Sequence, residues 1–184
     1  MSQDVVMPPA GTAPEAAAVL LAFLNTRGHG THRDRLSDAE DAGRALGDLL
    51  QSRAEVSESQ LKRLRKLRST VVDVVSAGHE TADAAWASLN RQTSQISLGA
   101  TFGAAGSATI RQTGGDPLIG TITIALERLM ADGKWNRLRL CANERCGEAF
   151  YDSTRSNTQR WHSYGRCGNK SNVAAYRART TASA

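Results

Sequence analysis

Five stretches of the chain repeat apolar residues at helical spacing, the mark of a helix that buries one face. The first begins at Pro14, a residue suited to an opening turn, and runs through Leu24. The second spans Ser37 to Leu50, with Ala42, Ala45, Leu46, Leu49 and Leu50 apolar and Asp38, Glu40 and Asp41 loading its first turn. The third starts at a capping box, Ser57-Glu58-Ser59-Gln60, and reaches about Ser76. Its stripe is Leu61, Leu64, Leu67, Val71, Val74 and Val75, and Lys62, Arg63, Arg65, Lys66 and Arg68 fill the other faces, as solvated charge in preference to a site for an acidic ligand or phosphate. A fourth helix runs from Thr81 to about Thr93, offering Ala84, Ala85, Trp86 and Leu89 inward. The fifth opens at Asp116-Pro117 and carries Ile119, Ile122, Ile124, Leu126, Leu129 and Met130 up to the Asp132-Gly133 stop, although β-branched residues crowd its early turns.

Between the fourth and fifth helices the period changes. Ile96 to Phe102 and Ala108 to Gln112 alternate around Gly103-Ala104-Ala105-Gly106, which predicts a β-hairpin. Met1 to Ala13 has no periodicity and reads as a loose terminus. Gly28-His29-Gly30-Thr31-His32 reads as an exposed loop, since no cysteine or carboxylate pair sits at chelating spacing beside its histidines. Beyond Gly133 the pattern shortens. Leu138-Arg139-Leu140 and Ala149-Phe150-Tyr151 suit two short strands, Asn157 to Tyr164 a helical turn, and Ser171 to Arg179 a terminal helix.

Composition adds a boundary. The 184 residues are 40% hydrophobic and 22% charged, enough for one ordinary domain and a small module. From Gly133 onward ten Lys/Arg face three Asp/Glu, a net of +7, while the first 132 residues carry −2. The division is therefore expected at 1–132 and 133–184, with a polyanion partner for the second part only. Ala16 to Leu24 is too short to span a bilayer and no Lys or Arg precedes it, so neither a membrane segment nor a secretory signal is expected. A cytoplasmic protein with reduced thiols follows from that reading.

All three cysteines lie in this basic part. Cys141 and Cys146 are separated by four residues, fifteen follow, then His162, four more, and Cys167. Two short ligand pairs held apart by a connector are the layout of a tetrahedral zinc site. Buried free cysteines are the plainer alternative, and a disulfide would leave one of the three unpaired.

Trp161-His162, Cys167-Gly168-Asn169-Lys170 and Tyr176-Arg177-Ala178-Arg179 resemble the CGNR zinc finger. Phe150-Tyr151-Asp152 is similar to the segment that follows the family's first ligand pair, and Thr154-Arg155 stands where the family often has Ser-Arg. The chain departs from the family in having His162 in place of a cysteine and Lys170 in place of an arginine. The first change gives a Cys3His set; the second keeps the charge but loses the planar fork. The preceding region is similar to the ABATE domain that accompanies such fingers and is regarded as regulatory, through Asn25-Thr26 and Leu89-Asn90. The resemblance implies an α+β protein: a mostly helical N-terminal domain with a small hairpin, then a treble-clef-like finger.

One closed structural zinc at Cys141, Cys146, His162 and Cys167 would fold the small module, with Trp135, Leu138, Leu140, Phe150 and Trp161 packed around it. DNA is the expected partner. Arg155, Arg160 and Arg166 of the connector and Lys170, Arg177 and Arg179 of the last helix are the candidate contacts, with Lys170 and Arg177 on one face. Asn169 could read a base edge or cap the helix. The N-terminal domain is expected to sense a small-molecule effector or to associate, which leaves a homodimer open. RNA binding and a protein-binding finger are the alternatives. An enzyme in the N-terminal domain is disfavoured because no nucleophile–base pair, phosphate loop or paired carboxylates stand out.

Overall fold

The computed structural model describes residues 13–30, 32–50, 56–77, 83–169 and 173, and side chains among these except at 48–50 and 105. Most of the expected terminus Met1–Ala13, Thr31 of the histidine loop, and Leu49 and Leu50 as core side chains fall outside that range. The fold is α+β. Its elements are α1 Glu15–Leu24, α2 Ala39–Leu50, α3 Glu58–Ser76, α4 Asp83–Thr93, β1 Ser97–Phe102, β2 Ala108–Gly114, α5 Pro117–Ala131, β3 Leu138–Leu140 and β4 Ala149–Tyr151. β1 and β2 form one antiparallel hairpin and β3 and β4 another.

The helix starts follow the sequence signals. Ser57 accepts from the Gln60 amide at 3.2 Å, and Gln60 Oε1 accepts from the Ser57 amide at 3.0 Å, closing the expected capping box. Asp116 Oδ1 accepts from the amides of Leu118 at 3.0 Å and Ile119 at 3.3 Å, with Pro117 behind it. That cap holds α5 helical through its β-branched turns. Asp116 Oδ2 also takes hydrogen bonds from Gln60 Nε2 and Arg63 Nη2, so one carboxylate ties the starts of α3 and α5 together. Gly120 is needed where α5 meets the hairpin, because a Cβ there would run into the Gln112 amide that spans the carbonyls of Gly114 and Asp116.

The core joins Leu20, Phe23 and Leu24 of α1 and Leu46 of α2 to Leu61, Leu64, Leu67 and Val71 of α3 and Ile122 and Leu129 of α5. Leu89 is the one buried residue of α4; Trp86 is half-buried and Ala84 exposed. Leu138 of β3 and Ala149 of β4 belong to the same cluster. Trp135 packs against Trp86 with ring centroids 5.7 Å apart. Of the residues expected to pack around the metal, Leu138 lies in this core and Trp135 and Leu140 pack against it, so these three dock the second part on the helices.

Arg68 also departs from expectation. It sits three residues before Val71 on the buried stripe and is only 5% exposed. Its guanidinium meets both carboxylate oxygens of Asp34, at 2.8 and 2.5 Å, and donates to Thr26 Oγ1 at 2.9 Å. A buried cation is retained where such a fork is satisfied. Burial by itself would raise the Asp34 pKa, but the Arg68 hydrogen bonds and charge hold it below the usual carboxylate value.

Candidate metal centre and nucleic-acid interface

The metal site is assembled from three pieces of backbone. Cys141 directly follows β3, and its amide donates to the Glu148 carbonyl at 2.8 Å. Cys146 lies in the tight turn between β3 and β4, where its amide donates to Asn143 O at 2.8 Å and Gly147 takes a φ of 68°. The second pair comes from the far end of the connector. His162 precedes Ser163, whose hydroxyl accepts from the Arg166 amide at 3.3 Å and opens a wide helical turn, Tyr164–Gly168, carrying Cys167. Gly168 closes the turn against aromatic rings: a Cβ would lie 2.7 Å from Tyr164 and 3.1 Å from Trp161. Asn169 already has helical angles, so capping falls to Ser163 and not to Asn169.

The four candidate ligand atoms lie within 4.8 Å of one another, with Cys141 and Cys167 buried. His162 turns Nδ1 toward the sulfurs, 3.4 Å from Cys146 Sγ and 3.8 Å from Cys167 Sγ. Its Nε2 is buried, makes no aligned hydrogen bond, and has Glu148 Oε2 3.2 Å away. A carboxylate at that nitrogen orients an imidazole for metal binding through the other. Burial, with the neighbouring thiols Cys167 and Cys141 adding, pushes the Cys146 thiol up to about 12. Three thiols and an imidazole crowded in one dry place are poor company for each other until a cation stabilises the thiolates. The donor set and its geometry fit one structural zinc ion. Among the described residues this is the sole such cluster; neither His29 nor His32 of the loop belongs to one.

The connector is ordered differently from the helical turn expected over Asn157–Tyr164. Asp152 is fully buried. Its Oδ1 accepts from the Thr154 amide at 2.9 Å and the Thr154 hydroxyl at 2.5 Å, and its Oδ2 from the Gln159 amide at 2.8 Å. Arg139 Nε stands 3.6 Å away. Burial opposes ionisation, but these hydrogen bonds and the Arg139 charge keep the Asp152 pKa below the usual carboxylate value. Wrapping around that carboxylate puts Asn157 at a φ of 50° and leaves the segment irregular until Ser163. Arg137 and Arg139 are spent on the connector's own carbonyls.

The remaining connector cations face outward. Arg155, Arg160 and Arg166 are exposed, and Arg160 lies 5.2 Å over the Trp161 ring. No carboxylate among the described residues lies within ion-pair distance of these three, nor of Arg145, an exposed cation between the first two ligands that the sequence reading passed over. Lys170, Arg177 and Arg179 lie outside the described residues, as does most of the expected terminal helix; Val173 is helical.

The finger is fixed to the helices by Asn25. Its Nδ2 donates to the Ala149 carbonyl at 3.0 Å and its Oδ1 accepts from the Ala149 amide at 2.8 Å, so the side chain pairs with β4 as a neighbouring strand would. Arg27 Nη2 adds a bond to the Gly147 carbonyl at 2.6 Å. The Asn25-Thr26 pair thus joins two structures: Asn25 holds the finger, and Thr26, fully buried, holds Arg68.

Fold and site together define a zinc-finger protein whose finger is docked on a helical domain. Residues 137–180 match the model of the CGNR zinc finger, and residues 17–132 match ABATE, described as "Putative stress-induced transcription regulator". The chain belongs to the ABATE family and carries a CGNR finger after that domain. A comparison with curated proteins gives no match. No helix among the described residues is long and apolar enough to cross a membrane.

Proposed function

We propose that the protein is a DNA-binding transcription regulator in which zinc shapes the finger, the finger binds duplex DNA, and the N-terminal domain senses an effector or associates. The observation that carries this is the set of exposed arginines around the metal, Arg155, Arg160 and Arg166, which have no carboxylate partner among the described residues. Unpaired guanidinium groups held on a metal-fixed loop suit phosphate oxygens and guanine edges. Four protein ligands complete a tetrahedral shell, so the zinc acts by holding the loop and leaves no place for a reacting water. The reading is therefore of a binding protein and not an enzyme, working in the cytoplasm. The effector and any homodimer belong to the same proposal, resting on the family's description as a regulator.

Selection of bound sequences from a pool of random duplex DNA, with RNA as competitor, tests this reading. A duplex motif enriched by the zinc-loaded chain and retained against RNA is expected. Enrichment of RNA alone, or of neither, would replace DNA as the partner.

A further inference from the structure

The sequence confines the basic surface to the finger, but the fold brings cations of the N-terminal domain up to it. A cleft of about 440 Å³ opens where the loop after α1 meets the finger. It is lined by His29, His32, Arg33, Arg35 and Asp41 from the N-terminal part and by Glu148 and Arg166 from the finger. His29 and His32 pin the loop by exchanging backbone hydrogen bonds, at 3.1 and 2.9 Å.

Asp41 is ion-paired with Arg33 and with Arg44, and Glu148 faces His162 Nε2 at 3.2 Å. Arg35 and Arg166 have no such partner: among the described residues, no carboxylate lies within ion-pair distance of either. Two guanidinium groups without an ion-pair partner among the described residues, one from each part of the chain, therefore border the same cleft. Like charges gathered this way favour an anion between them, and a guanidinium fork matches phosphate. Small-molecule sites enclose most of their ligand. Here His32, Arg33, Arg35 and Arg166 are all exposed, which suits a phosphate on a polymer that runs past. Arg166 also adjoins the metal ligand Cys167, so whatever occupies this cleft touches the finger.

We propose that this cleft is a second phosphate site, in which Arg35 of the N-terminal domain and Arg166 of the finger grip the backbone of the DNA that the finger binds. The proposal rests on the DNA-binding reading above and deepens it: the interface is composite, and the N-terminal domain touches the nucleic acid directly. A ligand or partner that shifted the loop after α1 would then change DNA affinity without moving the zinc.

The test uses the full, zinc-loaded chain and a selected duplex, titrated by anisotropy between 50 and 200 mM salt. One lost phosphate contact flattens the slope of log affinity against log salt by about 0.9. For Arg35→Ala, the wild-type advantage should therefore shrink about 3.5-fold across that range. Arg35→Lys should keep most of the slope, and zinc content should be unchanged in both variants. An Arg35→Ala slope equal to wild type overturns the composite interface while leaving the finger as a DNA contact. A wild type with no salt-dependent affinity removes the DNA reading itself, and the composite interface with it. Inorganic phosphate is titrated by calorimetry in parallel. Phosphate binding that needs Arg35, with DNA binding indifferent to it, assigns the cleft to a small anion and overturns the proposal.

Discussion

Replacing Asn25 by alanine tests how the finger is held. The side chain makes two neutral hydrogen bonds with Ala149, at 3.0 and 2.8 Å, and Ala149 is 4% exposed. Each such bond is worth about 1 kcal/mol net, and a buried donor or acceptor left alone costs about 1–3 kcal/mol. Truncation frees the amide and carbonyl of Ala149 together, while water entering the gap recovers part of the loss. The expected destabilisation is about 2 kcal/mol, which in a chain of this size lowers the melting temperature by about 4–8 °C. Asn25→Asp sharpens the comparison: it keeps the acceptor for the Ala149 amide but sets a second oxygen against the Ala149 carbonyl. It should be no more stable than Asn25→Ala. The assay is urea and thermal unfolding of zinc-loaded protein, with zinc content checked in each variant. A loss below about 0.5 kcal/mol in both variants would refute the view that Asn25 acts as an adjoining strand.

Cys167→Ser should lose most of the roughly one equivalent of zinc that elemental analysis finds in the wild type; full retention would remove Cys167 from the site. Glu148→Gln, beside His162 Nε2, should weaken zinc about 10-fold or more in competition with a chelator, since partners of metal-bound histidines have effects of that order. No change there would mean the carboxylate does not orient the ring. Arg68→Met should cost about 3 kcal/mol at neutral pH by stranding Asp34 and Thr26. Because the folded Asp34 pKa is lowered, its share of stability is complete above the unfolded value of about 3.9 and disappears as pH falls through the folded value. The gap between wild type and Arg68→Met should therefore narrow below about pH 4, and a gap independent of pH would contradict the pairing.

What the sequence made legible was local. The capping box at Ser57, the Asp116-Pro117 start and the period change at the hairpin each depend on residues a few positions apart, and the structure has them all. The metal ligands were legible because chelating pairs must be close in sequence. The misses depend on distant partners. Arg68 reads as surface charge until Asp34 and Thr26, 34 and 42 residues earlier, arrive to satisfy it. The connector reads as helical until Asp152 captures the Gln159 amide. Asn25 is 124 residues from Ala149, and no periodicity marks a side chain that will serve as a strand. Arg35 and Arg166 carry no sign of sharing a cleft until the loop after α1 is folded against the finger.

The central claim, that zinc holds a finger whose cations bind DNA, is tested most directly by the affinity of the zinc-loaded chain for duplex DNA across a salt series. Contacts from Arg155, Arg160 and Arg166 alone predict a slope of log affinity against log salt of about −2.7 or steeper. A slope near zero would contradict the account.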